Sequence, residues 1–206
     1  MLKYLEYHKD TYTGYHTYAK SDECIQKYKH IMNNSLELTT RLSDTSVYTY
    51  RLEESNTCSA VGTSSEFINC LKYCKSNPNK LCEVSLNTDI TLVNDHYNFS
   101  KYLNVQIRNN DDNIHTLELS NAIIHFNRLD ISGVNLNVHD VSKGFSPITI
   151  QDTLIIQEGS HNFYNNYTDN SGGGGAIYSR RDIHFIDTCI NFINNYAFNS
   201  GGAITT

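Results

Sequence analysis

The feature that most constrains the fold of this chain is a repeat in its last fifty residues. The chain contains the stretches NFYNNYTDNSGGGGAIYS (162–179) and NFINNYAFNSGGAITT (191–206). Both begin with the same twelve-residue pattern, N-F-x-N-N-Y-x-x-N-S-G-G, in which x marks a position that varies. Phe163 and Phe192 lie 29 residues apart, whereas the Ala-Ile pairs that follow lie 27 apart, because the first copy holds four glycines. Self-similarity at such a period is typical of solenoids, in which each repeat forms one coil.

Short alternating segments upstream of the repeat support a β-solenoid. Leu129–Val138 resembles Leu154–Phe163 at an offset of 25 residues, so the spacing varies while the side-chain pattern is kept. Segments of three to five residues are too short to form a stable sheet as isolated hairpins. They are long enough to form the sides of stacked coils. The sequence therefore predicts an all-β fold, a right-handed parallel β-helix, with strands at 84–86, 90–93, 103–107, 117–119, 129–131, 134–138, 148–150, 154–156 and 183–185.

In such a fold the matched residues of the repeat lie one above the other, about 4.8 Å apart. We expect an aromatic stack of Phe163 on Phe192, an amide ladder of Asn166 on Asn195, and glycine pairs that let neighbouring backbones approach closely. These roles are structural, and direct contact of the motif with a ligand is the less favoured interpretation. The motif residues are Phe163, Asn166, Gly174, Gly175, Ala176, Ile177, Phe192, Asn195, Gly201, Gly202, Ala203 and Ile204.

The sequence divides into three regions. Residues 1–56 are rich in tyrosine and weakly patterned, with one short helix expected near 21–32, and residues 57–82 are rich in cysteine. Residues 83–206 are expected to form the β-helix, truncated at its C-terminal end. Within the second region an apolar stripe with helical spacing predicts an amphipathic helix over 65–76, with Ser64 or Ser65 as its N-cap. The stripe consists of Phe67, Cys70, Leu71 and Cys74. Its position before the strands predicts a helix that caps the solenoid.

Four of the six cysteines lie close together, at Cys58, Cys70, Cys74 and Cys82. Disulfides are favoured, and buried thiols or a zinc site remain alternatives, although the spacing matches paired C-x2-C zinc ligands poorly. Cys70 and Cys74 lie one helical turn apart, so a bond between them would constrain little. Each is expected to reach outward, to Cys58 or Cys82.

Composition excludes some functions. The formal net charge of -6 argues against nucleic-acid binding, which requires a basic face. No run approaches the roughly 18 apolar residues that a membrane-spanning helix requires. The first ten residues lack the apolar core of a signal peptide, so an exported protein would need one upstream.

The histidines are scattered and the Gly-rich segment lacks the Lys-Ser/Thr of a phosphate-binding loop. No cofactor and no metal are therefore expected.

An enzymatic alternative rests on carboxylates in the turns. Asn87–Asp89 and Asp111-Asp112 resemble two motifs of polygalacturonases, but the Gly-His-Gly and Arg-Ile-Lys motifs are missing. A lyase would use arginine beside carboxylates, for which Arg180–Asp182 and Asp187 are candidates.

Asn33 and Asn98 are candidate N-glycosylation sites. Asn166 also heads a sequon, but its place in the amide ladder argues against modification.

The order Phe-x-x-Asn and then Gly-Gly-Ala-Ile, present twice, resembles the repeat of chlamydial polymorphic membrane proteins. The resemblance covers about 45 residues: Phe163 to Asn166 with Gly174 to Ile177, and Phe192 to Asn195 with Gly201 to Ile204. It implies a right-handed β-helical surface protein, adhesive in the chlamydial members. We therefore expect a secreted or cell-surface module without enzymatic activity that binds a host or neighbouring-cell protein or glycan. A carbohydrate-active hydrolase or lyase and a structural spacer are the alternatives.

Overall fold

The computed structural model describes residues 55–77, 80–99, 103–142, 144–169, 173–198 and 200–206. The helix expected near 21–32, the sequon at Asn33 and nearly all of the tyrosine-rich region lie outside the described residues.

The described chain is a parallel β-helix with one helix at its N-terminal end, as the repeat predicts. Its elements are β1 (Ser55–Val61), α1 (Ser64–Lys75), β2 (Leu81–Leu86), β3 (Ile90–Val93), β4 (His96–Asn98), β5 (Asn104–Asn109), β6 (Thr116–Ser120), β7 (Ile123–Phe126), β8 (Arg128–Ser132), β9 (Asn135–His139), β10 (Ile148–Ile150), β11 (Leu154–Gln157), β12 (Ser160–Tyr164), β13 (Tyr167–Thr168), β14 (Ile177–Ser179), β15 (Ile183–Ile186), β16 (Cys189–Ile193), β17 (Tyr196–Ala197) and β18 (Ile204–Thr205).

From β2 onward, each coil contributes one strand to each of three parallel sheets, and β1 adds a sixth strand to the first of them. Sheet A has the order β1-β2-β5-β8-β11-β15, sheet B has β3-β6-β9-β12-β16, and sheet C has β4-β7-β10-β14-β18. A fourth, small sheet pairs β13 with β17. The register reproduces the offsets found in the sequence: Phe163 pairs with Phe192, Leu154 with Leu129, and Ile177 with Ile204.

Alternate residues of each strand point into the solenoid. The apolar residues of the period-two pattern therefore form columns in its interior. In sheet A the register stacks Val84, Ile107, Ile131 and Ile156, none of which is exposed to solvent. The inward side chains of the three sheets form one hydrophobic cluster, so every added coil extends one continuous core.

The corner that follows each sheet B strand is formed by a residue with positive φ. The φ angles lie between 50° and 57° at Asn94, Asn121, Asp140, Asn165 and Asn194. Asn and Asp adopt this left-handed conformation more readily than other residues with a Cβ. In the repeat, the first Asn of each Asn-Asn pair therefore turns the chain. This column of corner residues was not predicted from the sequence.

Helix α1 is capped by Thr63 rather than by Ser64 or Ser65. The Thr63 Oγ1 accepts a hydrogen bond from the Glu66 backbone N–H at 3.2 Å. The Ser64 hydroxyl instead donates to the Thr91 carbonyl at 2.7 Å, which ties the helix to β3. The expected apolar stripe is the buried face, and it packs on β1, β2 and β3. A capping helix at this end of the solenoid is thus confirmed.

The solenoid begins earlier than residue 83. Strand β1 pairs in parallel with β2, so α1 lies in the connection between two neighbouring strands of sheet A. The expected boundaries after residues 56 and 82 therefore fall inside β1 and β2. Strand β1 has the sequence SNTCSAV, whose small and polar residues give no period-two signal, and its pairing depends on the register with β2.

Candidate partner-binding face

The repeated residues form contacts between the last two coils. The Phe163 and Phe192 rings stack with centroids 5.0 Å apart, and Phe163 is fully buried. Ile177 lies over Ile204, likewise inside the solenoid. The two aromatic rings and the two aliphatic side chains therefore contribute to the core rather than to a surface.

The second Asn of each pair forms the expected ladder. The Asn166 Nδ2 donates to the Val138 carbonyl at 3.0 Å, and its Oδ1 accepts from the Val141 N–H at 3.2 Å. Asn195 does the same for the coil before it: its Nδ2 donates to the Phe163 carbonyl at 2.8 Å, and its Oδ1 accepts from the Asn166 N–H at 3.3 Å. Each side-chain amide thus satisfies one donor and one acceptor in the turn of the preceding coil.

The glycines are needed because neighbouring coils touch at this corner. A Cβ on Gly175 would overlap the Gly202 carbonyl and would lie 2.7 Å from the Tyr196 nitrogen. A Cβ on Gly174 would lie 2.8 Å from the Thr205 nitrogen and 2.9 Å from the Ala203 carbonyl oxygen. The Gly-Gly-Ala segment is therefore a site of close backbone approach.

The cysteines near the capping helix are paired as disulfides. Cys58 bonds to Cys70 and Cys74 to Cys82, so each helix cysteine reaches outward to a strand. The Sγ atoms of Cys58, Cys70 and Cys74 all lie within 4.8 Å of one another, close enough for a metal if the thiols were reduced. Cys189 is also disulfide-bonded.

The carboxylates considered for catalysis lie in turns, where they hold the backbone. The Asp89 Oδ1 accepts from the Thr116 N–H at 2.7 Å, and the Asp111 Oδ1 accepts from the Asn113 N–H at 2.9 Å. Hydrogen bonds to Asn113, first its side chain and then its backbone, lower the pKa of Asp111.

The lyase candidates are not gathered into one group. Arg181 pairs with Asp152 at 3.3 Å, and Asp187 occupies a corner with a φ of 45°.

Of the two N-glycosylation sequons in the described residues, the one at Asn98 is exposed at the end of β4, whereas Asn166 is 1% exposed.

The outer surface of sheet B carries a polar array that was not predicted from the sequence. The Asn162 Nδ2 donates to the Asn137 Oδ1 at 3.0 Å, and the Asn191 Nδ2 donates to the Asn162 Oδ1 at 2.9 Å. The array continues through further side chains on the same face of the sheet. We call it the sheet B polar face; it consists of Thr91, Glu118, Asn137, His139, Asn162, Tyr164 and Asn191. The offsets between the three asparagines, 25 and 29 residues, are the same as those of the repeat and were visible in the sequence.

At the centre of this face, His139 lies between two carboxylates. Its Nε2 is 2.9 Å from the Glu118 Oε1, and its Nδ1 is 2.9 Å from the Asp140 Oδ2. Burial lowers the pKa of His139, but the hydrogen bonds to Glu118 and Asp140 outweigh burial, so its pKa is raised. The bond to His139, followed by the one from Thr91, lowers the pKa of Glu118. The Tyr164 ring stacks on the His139 ring at 4.8 Å.

These contacts give the face a fixed arrangement of amides, carboxylates and aromatic edges. Both His139 nitrogens have partners, so the ring cannot act as the base for a neighbouring hydroxyl without losing one of them. The face offers hydrogen-bonding groups and aromatic ring surfaces on its outer side.

Comparison with known proteins gives no relative: no family model, no curated protein and no solved structure matches this chain. Within the described residues, no helix has the length and apolar character to cross a membrane.

Proposed function

We propose that this protein is an extracellular or cell-surface β-helical repeat module that binds a protein or glycan of a host or neighbouring cell and does no catalysis. The observation that carries the proposal is the state of the cysteines. Every cysteine in the described part of the chain is in a disulfide. Such bonds form and persist in oxidising compartments and are rare in the cytosol.

The sheet B polar face supports a binding role. Its amides are held by hydrogen bonds from coil to coil, so little side-chain freedom would be lost on contact with a partner. Ordered Asn, Glu and His side chains with Tyr beside them suit the hydroxyl groups of a glycan or the polar backbone of a protein. The resemblance of the Phe-x-x-Asn and Gly-Gly-Ala-Ile repeat to that of the chlamydial surface proteins favours the adhesive form of this role.

Localisation is tested with an antibody on cells that express the protein naturally. We expect labelling of intact cells equal to that of permeabilised cells, and disulfide-linked Cys58–Cys70 and Cys74–Cys82 peptides in a digest made without reductant. Labelling that requires permeabilisation, together with alkylatable thiols at these four positions, would contradict export.

Binding is tested with a glycan array and with intact neighbouring cells. Asn162→Ala and Tyr164→Ala should each weaken binding about tenfold, the equivalent of roughly 1.4 kcal/mol. Lys72→Ala, on the exposed side of α1, is the matched control and should leave binding unchanged. A spacer would show no saturable binding in either assay.

A further inference from the structure

The two disulfides beside α1 form one cluster of sulfur atoms. The Sγ atoms of Cys58, Cys70 and Cys74 all lie within 4.8 Å of one another, and Cys82 is bonded directly to Cys74. In a tetrahedral zinc site, zinc–sulfur bonds of about 2.3 Å place the sulfurs about 3.8 Å apart. The four sulfurs therefore need only side-chain rotations to surround one metal ion.

Three different elements hold these cysteines in place. Cys70 and Cys74 lie one turn apart on the buried face of α1, whereas Cys58 belongs to β1 and Cys82 to β2. Residues four apart on a helix project from the same side. Strands β1 and β2 are paired in parallel, which fixes the other two cysteines relative to each other. Tertiary structure thus gathers a ligand set that does not follow the C-x2-C spacing.

The cluster is almost closed to solvent, as a structural zinc site is. Cys74 and Cys82 have no exposure and Cys70 is buried, whereas Cys58 is partly exposed. A thiolate from outside can therefore attack the Cys58 sulfur, which is the first step of disulfide reduction.

An unpartnered amide lies beside the sulfurs. Asn56 is 7% exposed, and its Nδ2 has no hydrogen-bond partner among the described residues. Asn56 pairs with Cys82 in the register of sheet A, and its carbonyl oxygen lies 3.9 Å from the Cys74 Sγ. The sulfur of a disulfide is a weak acceptor, whereas a thiolate is charged and accepts strongly. A thiolate at Cys82 or Cys74 would give this amide the acceptor that it lacks in the disulfide form.

We propose that Cys58, Cys70, Cys74 and Cys82 form a zinc-binding site when their disulfides are reduced, and that zinc then holds α1 on the end of the solenoid. Each disulfide accepts two electrons and two protons from a dithiol, which itself becomes a disulfide. Zn²⁺ displaces the four thiol protons and is bound by four thiolates. Oxidation by a disulfide reagent removes four electrons, restores both bonds and releases Zn²⁺.

This proposal does not rest on the proposed function, because localisation decides which form is populated and not whether the reduced form binds zinc. Failure of the zinc test would leave the disulfide-bonded surface protein as proposed. Absence of the protein from the cell surface would leave the zinc site as proposed.

The test uses the full chain, reduced with a phosphine that does not compete strongly for zinc. Cobalt(II) is titrated first, because its absorption reports the ligands. We expect one cobalt ion per chain, with the ligand-field and sulfur-to-metal charge-transfer bands of tetrahedral thiolate ligation, and displacement by an equal amount of zinc. The protein with its disulfides intact should give no thiolate bands.

Variants identify the ligands and the amide. Cys70→Ser removes a ligand and should weaken zinc binding more than about a hundredfold, beyond the range for groups that surround a metal site. Asn56→Ala should weaken it about tenfold. It should also move the charge-transfer band to longer wavelength, because a thiolate loses a hydrogen bond. Cys24→Ser with Cys189→Ser removes the two other cysteines and is the matched control, with binding unchanged.

Hydrogen exchange of residues 64–75 follows α1 itself. In the reduced protein zinc should slow this exchange towards the rate of the disulfide-bonded protein, and it should have no such effect in Cys70→Ser. The proposal would be overturned by a reduced protein without thiolate bands, or by equal affinity in Cys70→Ser. A reduced chain in which zinc leaves the exchange of α1 unchanged would also overturn it.

Discussion

At the residue scale, the two neighbouring asparagines of each repeat have different tasks. Asn165 has a φ of 55° and turns the chain at the corner, with its side chain at the surface. Asn166 is 1% exposed, and its amide bonds to the backbone of the preceding coil. The corner requires a residue that tolerates the left-handed conformation, whereas the ladder requires a side chain with one donor and one acceptor.

Replacing each asparagine by alanine should separate these tasks. Asn166→Ala leaves the Val138 carbonyl and the Val141 N–H without their partner, at about 1–3 kcal/mol for each buried group. Asn165→Ala places an ordinary residue in the left-handed region, at about 1 kcal/mol. Urea unfolding of the two variants measures both costs. A loss for Asn166→Ala no larger than the loss for Asn165→Ala would contradict the cost predicted for the two unpaired backbone groups.

His161 should make the protein sensitive to acid. It lies inside the solenoid between Leu136 and Ile190, with no exposure to solvent. Burial lowers its pKa to about 4, although the bond to the Glu158 carbonyl acts in the opposite direction. The unfolded chain, with an ordinary pKa near 6.5, therefore binds the proton more tightly than the folded protein. The His161 contribution to stability is intact above pH 6.5 and declines as the pH falls towards 4.

The difference of about 2.5 pKa units corresponds to on the order of 3 kcal/mol between pH 6.5 and 4. His161→Leu, which extends the column of Leu136, should remove that part of the decline in unfolding free energy. Chemical unfolding at several pH values measures it, with His184→Leu at an exposed position as the control. If the pH dependence is unchanged in His161→Leu, the histidine is not buried as described.

At the scale of elements, the capping helix is held by covalent bonds as well as by packing. Cys70 and Cys74 are on its buried face and bond to β1 and β2. The double variant Cys58→Ser with Cys70→Ser should lower the free energy of unfolding by about 2–4 kcal/mol, mainly because the unfolded chain gains freedom. Thr63→Ala, which removes only the N-cap, should cost about 1 kcal/mol.

Guanidinium unfolding without reductant gives these free energies, and hydrogen exchange of residues 64–75 reports whether α1 detaches. In the double variant we expect faster exchange in α1 and unchanged exchange in β8. A variant that loses less stability than Thr63→Ala would mean that packing alone holds the helix.

The elements also show how far the sequence determines the fold. Helix α1 and nine of the strands follow from periodicity; the strands are β2, β3, β5, β6, β8, β9, β10, β11 and β15. The 25- and 29-residue offsets specify the register of β8, β11 and β15. Strand β1 was missed, because its pairing depends on β2 and not on its own pattern. The sheet B polar face was missed for a related reason: Asn137, Asn162 and Asn191 form an array only after the coils are stacked. The column of corner residues with positive φ was missed because one of its members is Asp140 and not Asn.

At the scale of the whole molecule, the two ends of the solenoid differ. One end is covered by α1 and fixed by two disulfides, and the other leaves inward residues such as Phe185 partly exposed. In a solenoid each coil is stabilised only by its neighbours. A coil with one neighbour should therefore open at a lower free energy than a coil with two. In a polypeptide that consists of residues 1–206, we therefore expect local unfolding to begin at the last coil and to proceed towards α1.

Hydrogen exchange measures this order directly. Strand β15 is compared with β11, its neighbour in sheet A, because Cys189 in β16 is disulfide-bonded and would slow opening there. The slowest amides of β15 should exchange at least tenfold faster than those of β11, a difference of about 1.4 kcal/mol in opening free energy. An extra coil, made by repeating residues 178–206 after Thr206, should bring β15 to the rate of β11, because it gives the last coil a second neighbour. Equal rates in the unmodified protein would mean that the solenoid unfolds as one cooperative unit, with the last coil as stable as those inside.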